Sequence, residues 1–306
     1  AGEKMIGDRC KDRPGTSTAT DARLLPTRDA ACCAAPWLAP WVAGPPQRLI
    51  RLDGRAGRYA YYRFAGTHRM IALEGPAGLG LPIAIVLSRP VLARAMAARC
   101  VTLGHHRLRL DGQSLPLICD GELPPRFAAD AAQARRARTT LEVLVAEQSR
   151  PEAHAAVWVA VARFAAAMEA GEGSRLVSAA DGLIGLGPGS TPAGDDVLAA
   201  AAATLTAFAS GINGTGRIES TLTYLRTAIA ACVHCTTPLS AALLGAAARG
   251  HMIAPLVRCL ETLMRGEPAV AAVRALSGVG HSSGHFFAIG ASVALSVVAS
   301  RAPVES

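Results

Sequence analysis

The proline pair Pro124-Pro125 divides this 306-residue chain into two regions with different hydrophobic periods. Before it, apolar residues come in short β-type runs: Arg48–Leu52, Arg58–Phe64, Met70–Leu73, Ile83–Leu87, Arg107–Leu110 and Leu115–Cys119. Turn residues separate these runs, and Asp53-Gly54 and Asp111-Gly112 are pairs that favour two-residue hairpins. Only Val91–Arg99 reads as a helix there. Beyond the prolines, Ala and Leu recur at helical spacing over about 126–147, 152–170, 195–210, 219–235, 238–249, 253–265, 268–276 and 285–300. A strand repeats its faces every two residues and a helix every 3.6, so the two regions specify different architectures. The expected fold is α+β: an N-terminal, mostly antiparallel β domain, a small barrel or sandwich, followed by an all-α helical domain. Residues 1–30 read as a loose tail, 31–125 as the β-rich domain and 126–306 as the helical domain.

Hydrophobic residues make up 51% of the chain, enough apolar surface to offset the entropy of ordering it, which excludes a disordered protein. The formal charge of +8 is uneven: residues 1–150 hold 22 Lys+Arg and 13 Asp+Glu, and the rest hold 9 and 10. The basic residues are scattered among β-type runs and bracketed by acids, as on solvated faces, and aromatic residues are only 4%. No nucleic-acid partner is expected. Eight cysteines without a second pair at zinc-finger spacing read as reduced thiols. Residues 1–30 lack a basic stretch followed by an apolar run, so a cytoplasmic location is expected. The longest uncharged apolar stretch, Ser282–Ser300, is interrupted by Gly284, His285 and Gly290 and reads as a buried helix rather than a membrane span.

Three breaks between helical segments carry Gly, Ser, Thr and Pro. The first, Gly185-Leu186-Gly187-Pro188-Gly189-Ser190-Thr191-Pro192-Ala193-Gly194-Asp195-Asp196, runs straight into an Ala-rich helix. Glycines let a backbone approach a ligand, and a helix N-terminus offers N–H groups and partial positive charge to an anion. No lysine follows the glycines, so this is not a nucleoside-triphosphate loop, and the dinucleotide fingerprint does not match. Asp195 and Asp196 point about 100° apart on a helix, so at most one faces a ligand while the other bonds backbone amides. The second break, Thr236-Thr237-Pro238-Leu239-Ser240, and the third, Gly278-Val279-Gly280-His281-Ser282-Ser283-Gly284-His285, place hydroxyls at two further helix starts. Three such starts in one helical domain would suit one small, multiply anionic molecule if they converge. His281 and His285 lack the glutamate of a zinc helix and no Gly-x-Ser-x-Gly is present, so neither a metal site nor a serine hydrolase is expected.

The segment Leu183–Asp196, LIGLGPGSTPAGDD, resembles the signature of the AllH-like family, catalogued as a domain of unknown function and associated with one subunit of oxamate carbamoyltransferase in allantoin breakdown. Thr236–Gly250 and Gly280–Gly290 resemble the family's two later motifs, in the same order, and segments 70–87 and 101–119 its β region. The family's loop usually carries Leu at the position of Ser190 and Ser at that of Ala193, and an aspartate at that of Phe286. The resemblance implies an enzyme subunit of carbamoyltransferase type, converting oxalurate and phosphate to oxamate and carbamoyl phosphate with other subunit types. It assigns the anion cradle to Gly187, Gly189, Ser190 and Thr191, with Thr236, Thr237, Ser282 and Ser283 as a second ring. Asp195, and next Asp196, would be catalytic, orienting the substrate nitrogen or a bound Mg²⁺; no resident cofactor is otherwise implied. Phe286 and the lack of an evident nucleophile–base pair favour the alternative, a non-catalytic anion-binding or scaffolding subunit.

Overall fold

A computed structural model describes residues 32–52, 59–119, 124–128, 130–147, 155–209 and 216–300, apart from the side chains of 232 and 233. The expected tail at 1–30 and the Asp53-Gly54 turn lie outside the described residues.

The first region is a closed β-barrel. Its elements are β1 (Cys32–Ala34), a short α1 (Ala39–Ala43), β2 (Gln47–Arg51), β3 (Tyr59–Phe64), β4 (Met70–Glu74), β5 (Ala84–Val86), α2 (Arg89–Ala97), β6 (Val101–Gly104), β7 (Arg107–Leu110) and β8 (Gln113–Ile118). The strand order is β1-β5-β4-β3-β2-β6-β7-β8, and parallel pairing of Cys32 with Leu117 and Cys33 with Ile118 joins β1 to β8. β4 and β5 are also parallel; the other pairs are antiparallel. Closure settles the barrel-or-sandwich alternative. Each expected run falls on a strand, with ends shifted by up to two residues; β1 and β6 were not among them.

The Asp111-Gly112 turn forms as expected, with Leu110 paired to Gln113 and both turn residues at positive φ. Asp111 tolerates that conformation at φ 48° while its carboxylate accepts from the backbone N–H groups of Cys100 (2.8 Å) and Arg99 (3.0 Å), tying the hairpin to the start of β6. Inside the barrel, Ala60, Tyr62 and Phe64 of β3 and Ile71 and Leu73 of β4 pack with residues of every other strand except β8's exposed rim. The alternate residues of β4, Met70 and Ala72, join the core of the helical region instead. β4 is therefore buried on both faces, the barrel's contents on one and helices on the other.

The second region comprises α3 (Ala131–Ala146), α4 (Ala155–Ala170), α5 (Gly173–Asp181), α6 (Ala193–Ala209), α7 (Gly216–Cys232), α8 (Pro238–Ala247), α9 (Ala254–Arg265), α10 (Val270–Ser277) and α11 (Ser283–Ala299). α6 and α11 are buried on nearly all sides and pack on each other at the centre, with α3, α4, α7, α8 and α10 around them. This explains why both lack a polar stripe: a helix apolar all round belongs in a core. The Ser282–Ser300 stretch is such a helix, and among the described residues no helix is long and apolar enough to cross a membrane.

One acid is buried between the regions. Glu74, the last residue of β4, follows Met70 and Ala72 on the strand's outward face and is 1% exposed. Burial pushes its carboxyl up to about 7, although the N–H groups of Leu81, Gly80 and Leu79 favour the charged form. An unfolded chain ionises this group at its ordinary 4.5, the folded protein near 7. Between those values the folded state holds the extra proton, so stability falls as pH rises; this contribution is fully present below the lower value and lost above the upper one. It amounts to about 3 kcal/mol at most. Glu74→Gln is expected to shallow that slope in urea unfolding between pH 5 and about 8; an unchanged slope would assign the proton elsewhere.

Candidate functional site

The loop between α5 and α6 is anchored by buried Leu183 and Ile184 and then turns three times through glycine, at Gly185, Gly187 and Gly189, all at positive φ. Two of these are pressed against backbone: a Cβ on Gly185 would meet the Cys235 carbonyl oxygen at 2.6 Å, and one on Gly187 the Ala193 nitrogen at 2.9 Å. Gly189 faces open space, so its tip is accessible. The loop folds back over the start of α6. Gly194 N donates to Leu186 O (2.9 Å), and Asp195 N and Asp196 N donate to Pro192 O (3.0 and 3.1 Å). Three N–H groups of the first helical turn are thus already satisfied within the loop, and the donors left toward a ligand come from the glycine turns and hydroxyls.

Asp195 is 1% exposed and both its oxygens are engaged. Oδ1 accepts from Gly185 N at 2.8 Å; Oδ2 accepts from Ser240 Oγ at 2.6 Å and from Thr236 Oγ1. This one carboxylate therefore ties the glycine loop to the start of α8. A second tie runs from Thr237 Oγ1, which donates to Ser190 O and caps α8 by accepting from Ser240 N at 3.2 Å. The third motif arrives through α11, where Thr191 Oγ1 and Ser283 Oγ are 3.1 Å apart.

Asp196 faces the other way. It is 3% exposed, Ser283 donates a side-chain hydrogen bond to it, and its Oδ2 is buried with no partner. Burial raises its carboxyl well above the usual carboxylate range; the Ser283 bond opposes this and the neighbouring Asp195 adds to it. Burial thus favours the neutral acid, which is a hydrogen-bond donor as well as an acceptor.

The three motifs read from sequence are thus brought to one place, at the starts of α6, α8 and α11. Gly187, Ser190, Thr191, Thr236, Thr237 and Ser283 belong to this cluster. Ser282 stands at the cap position of α11, where its carbonyl oxygen accepts from His285 N (3.1 Å) and its side chain forms no capping bond. Ser240, buried and on Asp195, was missed, although a hydroxyl three residues beyond the Thr237 cap was a signal for it. Among the described residues, no three His, Cys, Asp or Glu are grouped to hold a metal.

Residues 183–295 match the family model for oxamate carbamoyltransferase subunit AllH. The resemblance drawn from Leu183–Asp196 holds at that level, and the AllH stretch contains all three loops while the barrel lies outside it. No curated protein and no solved structure matches the chain. Phe286, at the position of the AllH-like family's usual aspartate, is fully buried and packs on Trp158 with ring centroids 5.3 Å apart. It is a core side chain between α4 and α11, outside the loop cluster.

Proposed function

We propose that this chain is a subunit of a carbamoyltransferase that converts oxalurate and phosphate to oxamate and carbamoyl phosphate, in purine or allantoin nitrogen catabolism, together with other subunits. The observation that carries the reading is the buried, unpartnered Asp196 Oδ2 among three hydroxyl-bearing helix starts. In the reaction, a phosphate oxygen attacks the ureido carbon, charge develops on the carbonyl oxygen, and the bond to the oxamate nitrogen breaks as that nitrogen takes the phosphate's proton. The N–H groups of Gly187, Gly189 and Ser190 and the hydroxyls of Thr191, Ser282 and Ser283 hold the anions and stabilise the developing charge. Thr236 and Thr237 fix the loop's far side. Asp196, whose burial favours the protonated form, relays the proton to the leaving nitrogen. Asp195 acts through position, its oxygens being engaged by protein donors. No resident cofactor is assigned; Mg²⁺ at Asp196 would need the ionised carboxylate, the form its burial disfavours.

Two variants test this in the complex reconstituted with its partner subunits. Asp196→Asn is expected to lower turnover by about 10²–10⁴ while carbamoyl phosphate and oxamate still bind by calorimetry, because a general acid is lost but a donor remains. Thr191→Val is expected to weaken both binding and turnover, the latter by about 10²-fold, at unchanged circular dichroism. Unaltered turnover in both would overturn the reading. Tight anion binding without turnover, even with partners present, would favour the scaffolding alternative, which the already satisfied N–H groups at the start of α6 support.

A further inference from the structure

Away from the loop cluster, a cavity of about 370 Å³ opens between the barrel's outer wall and α9. Alanines, prolines and aliphatic side chains of β1, β5 and α9 form most of its lining, and Glu74, His251, Arg258 and Glu261 supply its chemistry. Its volume is at the small end of ligand pockets, and this mix of apolar wall with few polar groups is what such pockets share.

Glu74 gives the cavity a direction. Its Oε2 is buried without a hydrogen-bond partner, although buried polar atoms are normally paired. The turn after β4 holds it there: a Cβ on Gly78 would come within 2.5 Å of Oε2, and Gly80 packs against Ala254 at the start of α9. The missing partner is a donor, and a cationic one compensates a buried carboxylate best. Arg258 is exposed and forms no ion pair among the described residues, whereas Glu261 has Arg265 at 3.9 Å. His251 does not supply the cation, since burial and the nearby Arg249 lower its pKa and leave it neutral at pH 7.

We propose that this cavity is a second small-molecule site, for a zwitterion that places an ammonium or amidine nitrogen on Glu74 Oε2, lays an apolar stem along the wall and brings its anionic group to Arg258. Such a ligand also couples binding to a proton. The Glu74 carboxyl is pushed up to about 7, and a cation on it favours the ionised form. Binding at pH near 6 therefore releases a proton, and binding at pH near 8.5 does not. The titratable and charged groups around Glu74 are its strand neighbours Tyr59 and Tyr61 of β3, and Cys33, His251, Arg258 and Glu261, which line the same cavity.

The test is calorimetry on the full chain with γ-aminobutyrate, and with butylamine and butyrate as its two halves, in buffers of different ionisation enthalpy. The zwitterion is expected to bind at least about tenfold more tightly than either half. Arg258→Ala, a surface change, and Glu74→Gln are each expected to weaken it about tenfold. Proton release near pH 6 is expected to vanish in Glu74→Gln, with circular dichroism confirming that both variants fold. Absence of binding, equal binding by butylamine alone, full affinity in Arg258→Ala, or proton release that persists in Glu74→Gln would each overturn the proposal.

Discussion

Gly290→Ala is expected to destabilise the protein by about 4 kcal/mol or more, a fall in Tm of about 10 °C. Gly290 is on α11 where that helix crosses α6. A Cβ there would overlap the Val197 carbonyl oxygen and approach the Val197 carbonyl carbon to 2.9 Å and the Ala200 Cβ to 3.0 Å. These are backbone or near-backbone atoms of a helix buried on nearly all sides, so no rotamer change makes room. The two helices must part, and Ala200 at the crossing loses its contacts together with other fully buried alanines of the two helices, such as Ala201, Ala291 and Ala294. Gly245→Ala is the internal control: Gly245 lies within α8 with nothing within 4 Å of a built Cβ, and alanine there is expected to be neutral or to stabilise by up to about 1 kcal/mol. Thermal unfolding followed by circular dichroism separates the two. Equal, small effects would mean that α11 and α6 do not approach at Gly290 as closely as described.

That crossing also shows which parts of the fold were legible. The change of period at Pro124-Pro125 gave a β region and then helices, and, among the described residues, eight of the nine helices beyond the prolines fall on expected segments. The ninth, α5, lies between Gly171 and Gly182, and its nine residues begin at Gly173 without a side-chain cap, so it carried no start signal and only about two and a half turns of period. β1 is three residues long, too short to show alternation, and is a strand because β5 and β8 pair with it on either side. Closure of the barrel is such a non-local pairing, which no run of sequence encodes alone. Glu74 went unnoticed for a related reason: it ends an apolar run whose outward face becomes interior only when the helices cover it.

In the site, residue types were legible and lone pairs were not. Glycines, hydroxyls and the two aspartates announced three polar helix starts, but which aspartate is engaged depends on the docking of α8, more than forty positions along the chain. Adjacent residues on one helix were expected to differ, one facing a ligand and the other bonding backbone amides, and Asp195 is the one that bonds a backbone amide, Gly185 N. The division is the reverse of the expected ranking, with Asp195 held by protein donors and Asp196 left with an unpartnered oxygen.

Asp195→Ala is accordingly expected to cost about 3–5 kcal/mol, the scale on which buried charged networks fail when one member is removed. The change strands three donors at once: Gly185 N, Thr236 Oγ1 and Ser240 Oγ. Ser240 is 2% exposed and cannot turn to water, and Gly185 N belongs to a backbone held against Cys235 O. Asp195→Asn keeps one acceptor oxygen for Gly185 N and offers an amide to two hydroxyls able to rotate and accept, so its cost is expected to be only about 1–2 kcal/mol. Urea unfolding gives the two energies. Hydrogen exchange gives the mechanism, since the Gly185 amide is expected to lose its protection in the alanine variant and largely keep it in the asparagine one. If Asp195→Ala leaves stability and that amide unchanged, the carboxylate does not tie the loop to α8. Loss of turnover in Asp195→Asn at full stability would then make it a group that touches substrate.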